Sequence, residues 1–245
     1  MFTIGLTGDT LKNLGPLGSD LLDSLDEEER ALIVPALDAV HLKSGYIIQE
    51  PGSIVRHSYF PRNDALVAFL IPMEDGETME CAMVGREGVV GGVMGPGHLP
   101  AYARSCVHNG GDFFRISVSA MQEIRARSRP IDDLLQRYAD YMVAQLFQSI
   151  VCNARHSIEQ RAARWLCAAV SRTGSMEVML TQAQLGGFLG VGRSYLTRIL
   201  ARFKAQGVLE TRRGAILVQQ PRKLRAMSCD CGSLIAAHFE LVMPH

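Results

Sequence analysis

The sequence has no stretch approaching the roughly 18 consecutive apolar residues that a membrane-crossing helix requires, and its start, Met1 to Gly18, lacks the basic patch and apolar core of a secretion signal. The expectation is a soluble, cytoplasmic protein with no membrane partner. Cysteine is sparse: six among 245 residues, none in a C-x-x-C pair, which fits free thiols in a reducing compartment better than a disulfide scaffold. Histidine is sparser in pattern than in number, since none of the seven forms an H-x-H or H-x-x-x-H pair. There is also no G-x-S-x-G elbow and no phosphate loop, so no enzymatic chemistry can be assigned. What is present is 47% apolar residues with 20% charged ones, enough to bury one large or two small cores and too apolar for a disordered chain.

Net charge is also lacking, with 25 basic and 25 acidic residues, but the zero is a cancellation. From Met1 to Ser157 there are 13 Lys plus Arg against 20 Asp plus Glu, giving −7; from Ile158 to His245 there are 12 against 5, giving +7. The second segment is rich in Arg rather than Lys, the side chain suited to phosphate and base edges, whereas DNA would repel the first half. A chance imbalance of surface charge gives the same counts, so motifs must decide.

Asp20 to Val40 reads as short amphipathic helices, with the acidic run Asp26 to Glu29 as a solvated face. From His41 to Ile116 the pattern changes to short β segments at Tyr46 to Ile48, Ala65 to Ile71, Thr78 to Val84 and Phe113 to Ile116, separated by turn residues. An antiparallel barrel or roll follows. Ser119 reads as the N-cap of a short helix through Arg127, and Pro130 sits where it would start the next helix. That helix carries Ile131, Leu134, Leu135, Tyr138, Tyr141, Met142, Gln145, Leu146 and Ser149 at near-heptad spacing. The stripe suits packing against a twin helix in a homodimer, with Leu134, Leu135, Tyr138, Tyr141, Met142, Gln145 and Ser149 as the interface; burial against its own roll is the other use of such a stripe. Residues 1–129, 130–157 and 158–245 are then three units: sensor roll, dimerisation helix and reader with tail.

The reader carries the most information. A helix over Ile158 to Ser171, with Ala162, Ala163, Leu166, Ala169 and Val170 inward, ends at Arg172-Thr173-Gly174. Thr181 to Gln184 is a capping box. The short helix after it runs into the turn Gly190-Val191-Gly192, and a second opens near Arg193 with Leu196, Ile199, Leu200 and Phe203 inward. Outward lie Arg193, Ser194, Thr197, Arg198, Arg202 and Lys204, a recognition face, and Gly207 stops the helix. Val208 to Glu210, the turn Arg212-Arg213-Gly214 and Ala215 to Val218 read as a two-stranded wing with a basic tip. Arg193, Ser194 and Arg198 are the candidates for base readout, and Thr181, Gln182, Thr197, Arg202, Arg212 and Arg213 for the DNA backbone.

From about Asp20 to Lys223 this order of parts resembles the Crp/Fnr family of bacterial transcription regulators. The resemblance implies an α+β fold: an N-terminal double-stranded β-roll like a cyclic-nucleotide-binding domain, a long dimerisation helix and a C-terminal winged helix-turn-helix. It also implies a homodimer on a two-fold, palindromic double-stranded DNA site, with RNA polymerase as a candidate further partner. Arg193 and Arg198 fall on two arginine positions of the family's recognition helix; Ser194 stands where many members carry Glu, which leaves the half-site sequence open.

The family's cyclic-nucleotide cassette matches only in part. Arg104-Ser105 corresponds to the pair that holds the cyclic phosphate, but in Gly88 to Gly92 a glycine, Gly92 beside Gly91, stands where the ribose carboxylate belongs. Leu146 and Phe147 replace the adjacent Thr and Ser offered to adenine, and the insertion Gly95 to Pro100 alters the loop. Gly91, Gly92, Arg104, Ser105, Leu146 and Phe147 thus mark an effector pocket that argues against cyclic AMP, with Arg104 left for a salt bridge or another anion. No cysteine precedes Cys81, which argues against the family's N-terminal iron–sulfur cluster. No cofactor or metal is expected. Cys81, Cys106, Cys152 and Cys167 read as packing residues, and Cys229-Asp230-Cys231 as a tail pair whose thiols are exposed, open to oxidation or metal capture. The competing reading is a ligand-binding interaction module that never touches DNA.

Overall fold

The computed structural model describes residues 15–74, 76, 78–92 and 99–243, so Gly95 to His98 of the loop insertion, His245 and most of the Met1 to Gly18 segment lie outside the described residues. Two short helices, α1 (Asp20–Asp23) and α2 (Glu27–Ile33), come first. Asp26 and Glu29 close a capping box, so the acidic run serves the positive end of α2 rather than only facing water.

Seven strands follow: β1 (Asp38–Leu42), β2 (Ile47–Gln49), β3 (His57–Pro61), β4 (Leu66–Pro72), β5 (Thr78–Val84), β6 (Arg104–Asn109) and β7 (Gly111–Ser117). They form two antiparallel sheets in the orders β1-β7-β3 and β2-β6-β4-β5, the double-sheet roll expected; β1, β3 and β6 are additions to the sequence reading. Helix α3 (Val118–Arg127) is capped by Ser117, whose Oγ accepts from the Ala120 N–H at 3.1 Å. The cap was expected at Ser119. Strand β7 runs on to Ser117, so that residue holds the extended conformation a cap needs, and the Ser119 hydroxyl sits 3.2 Å from its Oγ.

The long helix α4 (Arg129–Arg155) has Pro130 in its first turn and Ser128 as its cap. Here the structure corrects the expected interface. Leu134, Leu135, Tyr138, Tyr141, Met142 and Gln145 are buried within their own chain. Gln145 Oε1 accepts from the Met83 N–H (3.3 Å), and Ser149 Oγ donates to the Cys81 carbonyl (3.2 Å), both on β5. The stripe faces its own roll because the roll's open side needs an apolar cover. Facing outward instead are Phe147 and Ile150, 65% and 67% exposed, with Val151 beside them.

Helix α5 (Ile158–Thr173) starts at a Ser157–Gln160 capping box and ends on Gly174 in the left-handed region. After it come β8 (Glu177–Val178), α6 (Gln182–Leu189), α7 (Arg193–Ala205), β9 (Leu209–Arg212) and β10 (Ala215–Val218). The wing has three strands rather than two, in the order β8-β10-β9, because Val178 and Glu177 pair with Ile216 and Leu217. The tail is also more structured than expected: α8 (Pro221–Met227) is followed by α9 (Cys231–Val242). Helix α9 lies along α4, with the Tyr141 and Phe239 rings 4.9 Å apart and Arg137 donating to the Val242 carbonyl.

A second core runs from the reader into the roll, joining Trp165, Leu166, Phe188 and Leu189 to Leu66, Leu70 and Met83. Two polar clamps cross the same boundary. Trp165 Nε1 donates to Glu80 Oε1 (2.7 Å); Arg172 donates to Glu87 (2.7 Å) and to the Tyr141 hydroxyl (3.1 Å). Among the described residues no helix is long and apolar enough to cross a membrane.

Candidate nucleic-acid interface

The capping box at Thr181 fixes where α6 begins: Thr181 Oγ1 accepts from the Gln184 N–H (3.2 Å), and Gln184 Oε1 accepts from the Thr181 N–H (2.9 Å). The turn that follows depends on small residues. Gly190 is left-handed (φ 67°), and a Cβ on Gly186 would lie 2.9 Å from the Val191 carbonyl oxygen, which is why the chain can fold back this tightly between two helices. The Val191 N–H donates to the Gly186 carbonyl at 2.9 Å and locks the turn.

Helix α7 then divides into two faces. Leu196, Ile199, Leu200 and Phe203 are buried to 1% exposure or less, which fixes the rotation of the helix about its axis. Arg193, Ser194, Thr197 and Arg198 are therefore held in solvent on one side. Thr197 Oγ1 lies 2.9 Å from both Gln182 Oε1 and the Arg193 carbonyl, tying the start of α6 to this face. The Arg198 guanidinium stacks over the Tyr195 ring at 5.4 Å, which narrows the directions it can take. Arg202 pairs with Glu159 (3.3 Å) and Arg212 with Glu177 (3.2 Å). Both are exposed pairs that a phosphate can exchange at small cost. Arg213 is exposed at the wing's turn. Thr181, Gln182, Arg193, Ser194, Thr197, Arg198, Arg202, Arg212 and Arg213 thus all belong to one two-helix-and-wing unit.

The effector residues are not brought together in the same way. Arg104 Nε donates to Glu50 (2.8 Å). Ser105 is buried with its hydroxyl on Gln49 Oε1 (3.3 Å). A Cβ on Gly91 would meet the His57 carbonyl oxygen at 2.6 Å, and one on Gly92 would meet Val118 at 2.7 Å, so neither glycine leaves room for an acidic side chain. Leu146 packs on the roll core, whereas Phe147 stands in solvent rather than in a pocket. A crevice of about 370 Å³ opens elsewhere, lined by Glu87, Tyr141, Arg164, Arg172, Arg225 and Phe239 among others.

Sequence reasoning missed one further cluster. Cys152, His156, Cys229 and Cys231 place their ligand atoms within 4.8 Å of one another. The cysteines are buried together, which corrects the exposed tail pair; Cys152 packs as expected, with Cys229 and Cys231 as its neighbours. The spacing Cys152-x-x-x-His156 was a legible signal, hidden because only His–His spacings suggested ligands.

A tight two-helix turn, a basic exposed helix face and a basic-tipped wing define a winged helix-turn-helix reader. Residues 160–227 match the family model of the Crp-like helix-turn-helix domain. No curated protein matches the chain in sequence. Among solved structures, the chain is similar to FixK2 from Bradyrhizobium japonicum (13% identity, 79% of this chain and 98% of that one, TM-score 0.65). It is also similar to a putative regulator of the Crp/Fnr family from Eubacterium rectale (19% identity, 84% and 96%, TM-score 0.64). A third is the c-di-GMP responsive global regulator CLP of Xanthomonas campestris (14% identity, 79% and 99%, TM-score 0.64). At such identities the likeness establishes the fold, and the family model establishes the reader. Residues 160–227 are thus a Crp-like helix-turn-helix domain, set in a chain that shares the fold of these regulators.

Proposed function

We propose that two copies of this chain bind a two-fold DNA site, each placing α7 in the major groove of one half-site, about one helical turn apart. The observation that carries this reading is the split of α7 into a fully buried face and the exposed face Arg193, Ser194, Thr197 and Arg198. Arg193, Ser194 and Arg198 read bases. Thr181, Gln182, Thr197, Arg202, Arg212 and Arg213 hold the backbone and set register. The second copy packs on the outward face of α4, where Val143, Phe147, Ile150 and Ala154 recur at heptad-like spacing and two of the four are large exposed apolar side chains. The protein works in the cytoplasm, with RNA polymerase as a further contact, and carries out no catalysis of its own.

Cyclic AMP is not its signal on this reading. The Arg104–Glu50 ion pair and the filled space at Gly92 support that, since a cyclic phosphate would have to displace the first and a ribose would find no carboxylate at the second. One relative of the same fold responds to c-di-GMP, so effectors differ within it.

The test is the affinity of purified, reduced protein for DNA from upstream of its coding region, against scrambled competitor, at several salt concentrations. Specific binding whose logarithm falls with log salt by about 0.9 per neutralised phosphate supports the reading. A flat salt response supports the interaction module without DNA.

A further inference from the structure

The four side chains at the α4–α5 junction have the geometry of a coordination shell. Cys152 lies in the last turn of α4, and His156 ends that helix in an extended conformation (φ −108°, ψ 147°), just before Ser157 starts α5. The His156 N–H donates to the Cys152 carbonyl at 3.1 Å, the helix's closing backbone bond, and this keeps the two residues together. Cys229 and Cys231 flank Asp230, the residue that opens α9. Two segments far apart in sequence therefore meet at one point.

The distances discriminate between chemistries. Cys152 Sγ and Cys229 Sγ are 3.6 Å apart, and Cys231 Sγ is 3.5 Å from His156 Nδ1. A disulfide needs about 2.05 Å between sulfurs. An iron–sulfur cluster must fit its own cage of iron and sulfide between the ligands, and a set confined to 4.8 Å is too small for it. A single tetrahedral ion with bonds of about 2.3 Å to sulfur and about 2.0 Å to nitrogen gives edges of about 3.8 Å between sulfurs and about 3.5 Å from sulfur to nitrogen. The observed pair distances fall on that shell.

The surroundings fit the charge. Three thiolates and a neutral imidazole around a divalent ion leave a net charge of −1. Arg161 and Arg164 lie close enough to Cys152 to act on it electrostatically, and the Nε of each is buried with no hydrogen-bond partner. Gln148 Nε2 donates to Cys231 Sγ at 3.1 Å, the kind of outer hydrogen bond that orients a thiolate ligand.

We propose that Cys152, His156, Cys229 and Cys231 bind a single thiophilic divalent cation of the zinc class, which pins the C-terminal helix to the junction between the long helix and the reader. Four protein ligands close the shell, so the role is structural and leaves no open position for catalysis. The clamp sits on the one stretch of extended backbone between α4 and α5, the hinge about which a reader would turn.

Metal-stripped, reduced, full-length protein is titrated with Co²⁺ under nitrogen. The expected result is the intense visible absorption of tetrahedral cobalt with thiolate charge-transfer bands, saturating at one ion per chain and displaced by Zn²⁺. Cys229→Ser with Cys231→Ser should lose the bands and at least about 100-fold in affinity, whereas Cys167→Ser, outside the cluster, should keep both. If the double variant does not fold by circular dichroism, Gln148→Ala serves, retaining all four ligands and weakening binding about 10-fold. A pale octahedral spectrum overturns the proposal, as does binding indifferent to these substitutions, an iron–sulfur chromophore in the purified protein, or a Cys152–Cys229 disulfide that forms in place of metal binding.

Discussion

Arg193 is the first residue of α7, and both its neighbours and its freedom favour a base edge. Gly192 caps the helix without a side chain, Arg193 is exposed, and the fully buried Leu196 one turn on prevents the helix from rolling it away. A bidentate arginine discriminates between base pairs by about 1–3 kcal/mol. Arg193→Ala should therefore shrink the ratio of specific to scrambled affinity by about 5- to 150-fold while leaving the salt slope nearly unchanged. Arg213→Ala, at the wing tip, should do the reverse, weakening all sequences alike and lowering the slope by about one phosphate. Competition binding at two salt concentrations reads both. Full discrimination retained by the Arg193 variant would mean that α7 does not enter the groove in this orientation.

The contact between reader and roll is a pairing of elements, α5 and α6 on β4 to β6, and its polar groups give it a pH range. Burial pushes the Glu80 carboxyl up to about 8, against the opposing pull of Trp165, Arg164 and Arg172. Burial also pushes His108, whose ring stacks edge-on against Trp165 and Phe188, down to about 4. A raised carboxyl contributes stability that is complete below its unfolded value of 4.5 and lost as pH rises through about 8. A depressed imidazole contributes stability present above 6.5 and lost as pH falls through about 4. Between 4.5 and 6.5 the two slopes oppose; above 6.5 Glu80 acts alone and the contact weakens by up to about 1.4 kcal/mol per pH unit. Trp165 is the only tryptophan, so its fluorescence should titrate near pH 8 in the native chain and stay flat in Glu80→Gln. A titration surviving in that variant would assign the change to another group. This contact was invisible in the sequence, because Glu80 alternates along β5 as an outward residue and only the reader's arrival buries it. Elements with a local signature were legible: the Thr181 capping box, the glycine turn, the amphipathic α7. Strand β3 was not, because four of its five residues are buried on both faces and show no alternation; nor was β6, whose polar Arg104, Ser105 and Asn109 find partners in neighbouring strands rather than in its own pattern. The stripe on α4 was legible as a stripe, but periodicity states that a face is buried and not what buries it.

At the scale of the molecule, symmetry and the hinge decide what one reader can do. With its own roll covering the inward stripe, the large apolar side chains that α4 exposes among the described residues are Phe147, Ile150 and Val151, and the proposed second copy packs there. Phe147→Asp with Ile150→Asp should turn a dimer into a monomer by light scattering while circular dichroism stays unchanged, since neither side chain touches the core; a dimer that persists would place the interface elsewhere. Binding a two-fold site also requires both readers to be held at fixed angles, and any freedom at the hinge has to be lost on binding. Besides the shared apolar core, three polar features restrain each reader: the Trp165–Glu80 bond, the Arg172–Glu87 pair and the cysteine–histidine cluster. The first two tie the reader to the roll. The third ties the tail to the hinge itself, and of the three it alone would respond to a metal ion. Stripping that ion should leave both cores intact yet widen the range of reader orientations, so that DNA affinity falls by about 5- to 150-fold at constant salt, the usual span of a coupling between two sites. Restoring Zn²⁺ should restore it, and the Cys229→Ser, Cys231→Ser variant should bind weakly with or without chelator. Equal affinity in the stripped and loaded native protein would mean that the roll contacts alone fix the hinge, and that the ion secures the tail without reporting to the DNA.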